Sequence, residues 1–74
     1  MSLMEGRAGA KYRVVKVCLQ EKAKRRFEIL GMTLGCVVEI AGRKRRGTMI
    51  IKIRGTRFAI GRAFAQGILV EEAS

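Results

Sequence analysis

Apolar and polar residues alternate along five short segments of this 74-residue chain. Alternation of this kind places every second side chain on one face of an extended backbone, which predicts half-buried β-strands. The predicted strands are residues 11–17, 36–41, 48–54, 56–60 and 68–71. In the first of them the apolar positions change parity between Val14 and the pair Val15 and Val17, which a β-bulge or contacts on both faces of the strand would explain.

A helical period replaces the alternation over residues 20–30. Ala23, Phe27 and Leu30 recur at the spacing of one helix face, so this segment is predicted to be an amphipathic helix. The cations that fall largely outside the apolar stripe are Lys22, Arg25 and Arg26.

Two glycines are predicted to end the helix and turn the chain. If Gly31 is the left-handed residue after the helix, Met32 is placed to pack back on Phe27, as in a Schellman cap. Gly35 then supplies the positive φ of a type II turn. We therefore expect the helix to end at Leu30 and a tight turn to lead into the second strand.

Five short strands with mostly local connections, and one short α-helix, predict a mainly β fold that closes into a small barrel and so hides its edges. One further helical turn is expected over residues 62–66. Residues 1–74 are interpreted as a single domain. Residues 1–10 are interpreted as a flexible lead-in that becomes ordered only if Leu3 joins the core.

The absence of His and Asp restricts the chemistry open to this chain. Without them there is no neutral-pH proton shuttle, no catalytic triad and no imidazole metal ligand. Cys18 and Cys36 are typical of free thiols, and no spacing among the cysteines and the six Glu forces a metal site. We expect a protein that is not an enzyme, with no catalytic residue, no metal ligand and no cofactor.

The sequence contains no signal for export or membrane insertion. No apolar run approaches the roughly 18 residues that a membrane span requires. The first residues, MSLMEG, lack a basic region followed by an apolar stretch. The expected location is the cytoplasm.

Charge is the most unusual property of the chain, with 16 Lys and Arg against 6 Glu and a net charge of +10. Four consecutive cations, Arg43, Lys44, Arg45 and Arg46, occupy a predicted hairpin loop over residues 42–47. They are compatible with a solvated turn, with nucleic-acid binding, or with docking on an acidic protein or an anionic lipid surface. A hairpin tip contributes few core contacts, so neutralising all four is expected to leave the fold intact.

Two specific binding functions are poorly supported at this loop. A phosphate-binding loop needs a Lys after its second glycine and a following helix, whereas a strand follows here. Single-stranded nucleic acid needs exposed aromatic residues, and Phe27 and Phe58 are assigned to the core. Binding to a phosphate backbone through charge alone stays open.

A longer pattern begins at residues 24–35, KRRFEILGMTLG. This basic helix with its glycine turn, followed by an alternating strand, resembles the FeoA family of bacterial ferrous-iron uptake. Leu3, Gly9 and Val14 are similar to the family's opening leucine, turn glycine and first-strand valine. Residues 57–71, RFAIGRAFAQGILVE, resemble its closing segment, so the resemblance covers residues 3–72.

The chain departs from the family pattern in two places. Ala8 and Leu34 stand where members typically have Pro, although the glycines that follow are kept. The loop after the second strand is RKRRG instead of an apolar segment containing Pro, Leu and Gly. No contact is carried over through that loop.

The resemblance implies an SH3-like barrel that binds the cytosolic GTPase region of FeoB, the membrane ferrous-iron transporter, with no catalytic residues. The partner-binding residues predicted here are the loop cations and the helix cations, Arg43, Lys44, Arg45, Arg46, Lys22, Arg25 and Arg26. Gly9, Gly31 and Gly35 are predicted structural turns. An anionic lipid surface is a second predicted partner, a monomer is favoured, and the alternative function is a basic module that binds RNA or ribosomes.

Overall fold

The computed structural model describes residues 1–73, and Ser74, the last residue of the predicted domain, lies outside the described residues. The strands are β1 Lys11–Val17, β2 Val37–Arg43, β3 Met49–Ile53, β4 Thr56–Ile60 and β5 Ile68–Glu72. The α-helices are α1 Glu21–Ile29 and α2 Arg62–Gln66, and short 3₁₀ turns lie at Leu3–Glu5 and Arg45–Gly47. The mainly β composition and the order of the elements match the prediction.

The five strands form one antiparallel sheet in the order β4-β3-β2-β1-β5. The edge strands β4 and β5 do not pair with each other, so the prediction of a closed barrel is wrong. The reason lies at the outer edge of β5, which the N-terminal residues occupy: Ser2 forms a bridge with Leu69, and the Val70 N–H donates to the Met1 carbonyl at 2.8 Å. The backbone of Met1 and Ser2 therefore covers the edge of β5 at which a closing strand would have to pair.

Of the two explanations for the change of parity in β1, the structure shows the bulge. The pairing of β1 with β5 shifts register between Val14 and Lys16. Val14 is buried, and the extra residue Val15 keeps 45% of its surface exposed. The bulge thus turns an apolar side chain outward beside the helix that follows.

The core contains residues from every strand and from both ends of the chain. Leu3, from the first ten residues, is fully buried in it. The Gly9 N–H donates to the Ile40 carbonyl at 2.7 Å, and the Arg7 N–H donates to the Tyr12 hydroxyl at 2.8 Å. The buried apolar residues are Leu3, Tyr12, Val14, Phe27, Met32, Val38, Ile40, Met49, Ile51, Ile53, Ile60, Ala65, Ile68 and Val70.

The end of α1 has the hydrogen bonds of a Schellman cap. Gly31 has a φ of 88°, and its N–H donates to the Glu28 carbonyl at 3.0 Å. The Met32 N–H donates to the Phe27 carbonyl at 3.2 Å, and the Met32 side chain is fully buried. This cap directs the chain from the helix back into the core.

The turn before β2 is of type II. Gly35 has a φ of 87°, and the Cys36 N–H donates to the Thr33 carbonyl at 3.1 Å. Leu34, at the second position of this turn, is 66% exposed. Between residues 1 and 73, no helix combines the length and the apolar character needed to cross a bilayer.

Candidate protein interaction site

The outer face of α1 carries cations around one exposed apolar residue. Lys22, Arg25 and Arg26 line a shallow depression of about 290 Å³ together with Glu21 and Ile29. Ile29 is 77% exposed. Phe27 is the one buried residue of the helix. Because the other side chains of α1 are exposed or half-buried, most of this helix is free to contact another molecule.

A larger groove of about 520 Å³ lies between α1 and β1, and we call it the α1 groove. Its apolar lining includes the bulged Val15 and the turn residue Leu34. Lys16, Lys24 and Glu28 add charge to the lining. The sequence shows the change of parity at Val15 and the turn at Leu34 separately, but only the fold places these two residues beside the same helix.

The basic loop does not present four equivalent cations, because Arg43 is engaged within the protein. Its Nη2 donates to the Met4 carbonyl at 2.5 Å and also to the Gly6 carbonyl. This guanidinium therefore ties the N-terminal segment to the end of β2. Neutralising it is expected to cost stability, which corrects the expectation that all four loop charges are dispensable for the fold.

The remaining loop cations, Lys44, Arg45 and Arg46, are exposed on a loop with a defined backbone. The Lys44 N–H donates to the Thr48 carbonyl at 2.8 Å, and Arg46 has a φ of 69°. A left-handed backbone at a non-glycine residue is uncommon and is sustained by the surrounding structure. These three exposed side chains thus project from a turn that a backbone hydrogen bond closes.

Sequence reasoning missed a further cation beside the loop, Arg62 at the start of α2. A Cβ atom built on Gly47 would lie 2.6 Å from the Arg62 Nε, so the Arg62 side chain covers this glycine. No spacing rule connects these residues, because the contact depends on where α2 lies against the loop.

Charge is distributed very unevenly along the chain. Residues 40–70 contain eight cations and no carboxylate, whereas all six Glu lie outside that range. Among residues 1–73 the structure shows one ion pair, between Arg13 and Glu71 at 3.6 Å. The loop, β3, β4 and α2 therefore form a cationic half of the molecule.

The cysteines and glutamates are not gathered into a site. Cys18 is exposed, Cys36 is half-buried, and both are free thiols. In the described part of the chain, no group of three or more His, Cys, Asp or Glu side chains is placed to hold a metal ion. The pKa of Glu5 lies below its ordinary value because its carboxylate accepts a hydrogen bond from the Ser2 N–H at 3.0 Å.

Comparison with known proteins identifies a family that this chain resembles in both sequence and fold. A sequence model of the FeoA domain matches residues 1–72. The crystal structure of an iron uptake regulatory protein (FeoA) is 29% identical, with a TM-score of 0.89 over 99% of this chain and 97% of that one. A FeoA protein from Chlorobium tepidum is 25% identical, with a TM-score of 0.91 over 100% of this chain and 71% of that one.

More distant structures share the fold alone. The protein ScaR, crystallised with bound Zn²⁺, is 19% identical with a TM-score of 0.87, and the match covers 99% of this chain but 37% of ScaR. No protein with a curated description matches the chain.

Proposed function

Since the chain belongs to the FeoA domain family, we propose that it is an accessory protein that binds the cytosolic GTPase region of a FeoB-type transporter. The family is associated with ferrous-iron uptake and linked to FeoB-based iron transport, and its members are small accessory or regulatory proteins. In this proposal the protein works on the cytoplasmic side of the membrane and contributes a binding surface, without chemistry of its own.

The observation that carries the proposal is the outer surface of α1. Ile29 is 77% exposed in the midst of Lys22, Arg25 and Arg26. An apolar contact surrounded by charged side chains has the composition of a protein interface, in which the apolar centre loses water and the polar rim stays wet. The α1 groove is a second apolar surface on another side of the same helix, and it includes Leu34 and Val15.

The net charge of +10 defines the partner's chemistry further. A surface with this excess of cations attracts an acidic partner and accelerates encounter, while apolar burial sets how slowly the complex separates. We assign the first role to the exposed cations of α1 and of the loop and the second to Ile29.

The test is a binding titration against the cytosolic region of a FeoB-type transporter at two salt concentrations. Ile29→Ala keeps a good helix former and should weaken binding roughly tenfold through faster dissociation. Lys22→Gln, Arg25→Gln and Arg26→Gln together lower the net charge from +10 to +7 and should mainly slow association. The matched control, Lys44→Gln, Arg45→Gln and Arg46→Gln, makes the same charge change on the loop.

Three results are informative in that experiment. A loss of binding in the α1 variants, with a smaller loss in the loop variant, supports the proposal that the outer face of α1 contacts the transporter. Equal losses in both triple variants would show that binding follows net charge alone. If the wild-type protein does not bind the transporter at all, the proposed function is wrong.

The alternative function, a basic module that binds RNA or ribosomes, is supported by the cationic half of the molecule. Phe58 and Phe64 are half-buried, so base stacking has little support and contacts would be limited to the phosphate backbone. The same titration with single-stranded RNA and with anionic vesicles distinguishes these targets. RNA binding without transporter binding would favour the alternative.

A further inference from the structure

The outer edge of β4 is an unpartnered sheet edge next to the α1 surface. Within residues 1–73, no backbone hydrogen bond joins this edge to another segment, and β4 pairs with β3 alone. The opposite edge of the sheet, on β5, is covered by Met1 and Ser2. Exposed edges present rows of free N–H and C=O groups that can pair with another chain.

The turn geometry identifies which groups are free. Arg54 and Gly55 have φ values of 51° and 85°, so β3 and β4 are joined by a two-residue type I′ turn. The residues that flank such a turn, Ile53 and Thr56, form a hydrogen-bonded pair, and bonded and non-bonded pairs alternate from there. Arg57 and Ala59 consequently direct their N–H and C=O groups away from β3.

An apolar recess lies beside this edge. It has a volume of about 140 Å³ and is lined by Phe58 of β4, Leu30 at the end of α1 and Phe64 of α2, with Arg26 also in the lining. Arg26 lines both this recess and the depression on the outer face of α1, so the two are neighbours. The recess has room for one apolar side chain of an added strand.

Charge at the edge selects the added strand. Arg57 lies directly opposite Lys52 across the β3–β4 pair, and like charges in that position repel. Glu39 of β2 lies opposite Lys52 on its other side and offsets that charge, whereas β4 itself contains no carboxylate. A second copy pairing through β4 would bring two such cationic edges together, whereas an acidic segment would neutralise them.

We propose that the free edge of β4 binds an extended segment of the partner in which one apolar residue lies between acidic residues. Arg57 and Ala59 would pair with its backbone, and the recess beside Phe58 would take the apolar side chain. The flanking acidic side chains would lie on the opposite face of the sheet, where Arg57 would meet them. Strand addition of this kind takes its affinity from main-chain hydrogen bonds and its specificity from alternate side chains. The inference rests on the proposed function, because the partner is the transporter's cytosolic region.

Ala59→Pro tests the edge directly. Proline is tolerated on an edge strand where its missing N–H faced solvent, so the substitution removes the outward donor and keeps the pairing with β3. Ala59→Thr is the matched control, because it keeps the N–H and favours a strand. We expect roughly tenfold weaker binding of the cytosolic region for Ala59→Pro and little change for Ala59→Thr.

Amide hydrogen exchange gives a second readout that needs no variant. The Arg57 and Ala59 amides should exchange quickly in the free protein and become protected in the complex, while Phe58 is protected in both. If wild type binds, Ala59→Pro binds equally well and these two amides stay unprotected, the edge inference is wrong and the proposed function stands. If wild type does not bind, the proposed function itself fails. Should Ala59→Pro fail to fold, the exchange pattern of the wild-type complex still decides.

Discussion

The N-terminal segment and helix α1 differ in a way that reverses what their sequences suggest. Residues 1–10 have no clear period, yet Leu3 is fully buried, Gly6 is packed against the core and Arg43 holds the segment through two carbonyls. The helix has a clear amphipathic period, yet Phe27 is the one residue of it that is buried.

The difference shows that periodicity predicts the conformation of a segment better than it predicts how firmly the segment packs against the core. A period indicates which side of a helix faces the protein, but the number of buried side chains depends on what that side meets. In this protein the regular element stays largely exposed, and the irregular segment is held by several separate interactions. We expect substitutions to show that α1 depends on one buried side chain for its packing, whereas the N-terminal segment depends on several contacts.

The largest effect is expected at the single anchor of α1. Phe27→Ala removes a buried aromatic side chain, which typically costs about 3 kcal/mol or more. Denaturant unfolding followed by circular dichroism would measure the loss. Ile29→Ala is the control on the same helix, and because Ile29 is 77% exposed its change should stay within about 0.5 kcal/mol. Similar stabilities for the two variants would contradict the one-anchor description.

Glycine substitutions compare close packing in the N-terminal segment with backbone conformation at the end of α1. A Cβ atom on Gly6 would lie 2.4 Å from the Ile40 Cδ1 and 2.8 Å from the Tyr12 Cε2, and both neighbours are buried. Gly6→Ala should therefore cost about 2 kcal/mol through overpacking.

Gly31 has no neighbouring atom within 4 Å of such a Cβ, but its φ is 88°. Gly31→Ala should cost about 1 kcal/mol, from backbone strain alone. Thermal melts of both variants test the order, and a larger loss at Gly31 would mean that the N-terminal segment is not tightly packed.

Most of the secondary structure was predictable from the sequence. The way these elements pack and pair in the tertiary structure was not. The alternation at Met49, Ile51 and Ile53 predicted β3 and its buried face, because a strand's period of two is a local property. The open sheet was missed because the Met1 and Ser2 backbone covers β5, and no side-chain pattern reports backbone pairing. The candidate site was predicted only in its charges, since Ile29 lies outside the apolar stripe of α1 and among its cations.

Arg43 illustrates why the loop was misjudged. In the sequence it is one of four adjacent cations, and composition gives no reason to separate it from Arg45. Its carbonyl partner Met4 is 39 positions away, so the contact exists only after the sheet has formed. Long-range contacts between a side chain and a backbone carbonyl leave no periodic signal.

A third prediction compares these two arginines. Arg43→Gln removes the charged donor to the Met4 and Gly6 carbonyls and should lower the free energy of unfolding by about 1 kcal/mol. Arg45→Gln makes the same charge change on an exposed side chain and should be nearly neutral. Equal melting temperatures for the two variants would show that the Arg43 contacts do not hold the N-terminal segment.

The smallest expected effect concerns pH and the Glu5 carboxylate, which accepts a hydrogen bond from the Ser2 N–H at 3.0 Å. This hydrogen bond holds the pKa of Glu5 below its usual value of 4.5 in the folded protein. The unfolded chain therefore takes up a proton first as the pH falls, so the stabilisation from Glu5 is complete above its unfolded pKa and is lost as the pH falls through its folded pKa. Because Glu5 is exposed, the effect is small and is best seen as a difference between two proteins. Unfolding measured from about pH 6 to about pH 3 should show a steeper acid-side loss for wild type than for Glu5→Gln, and parallel curves would mean that this hydrogen bond does not persist in solution.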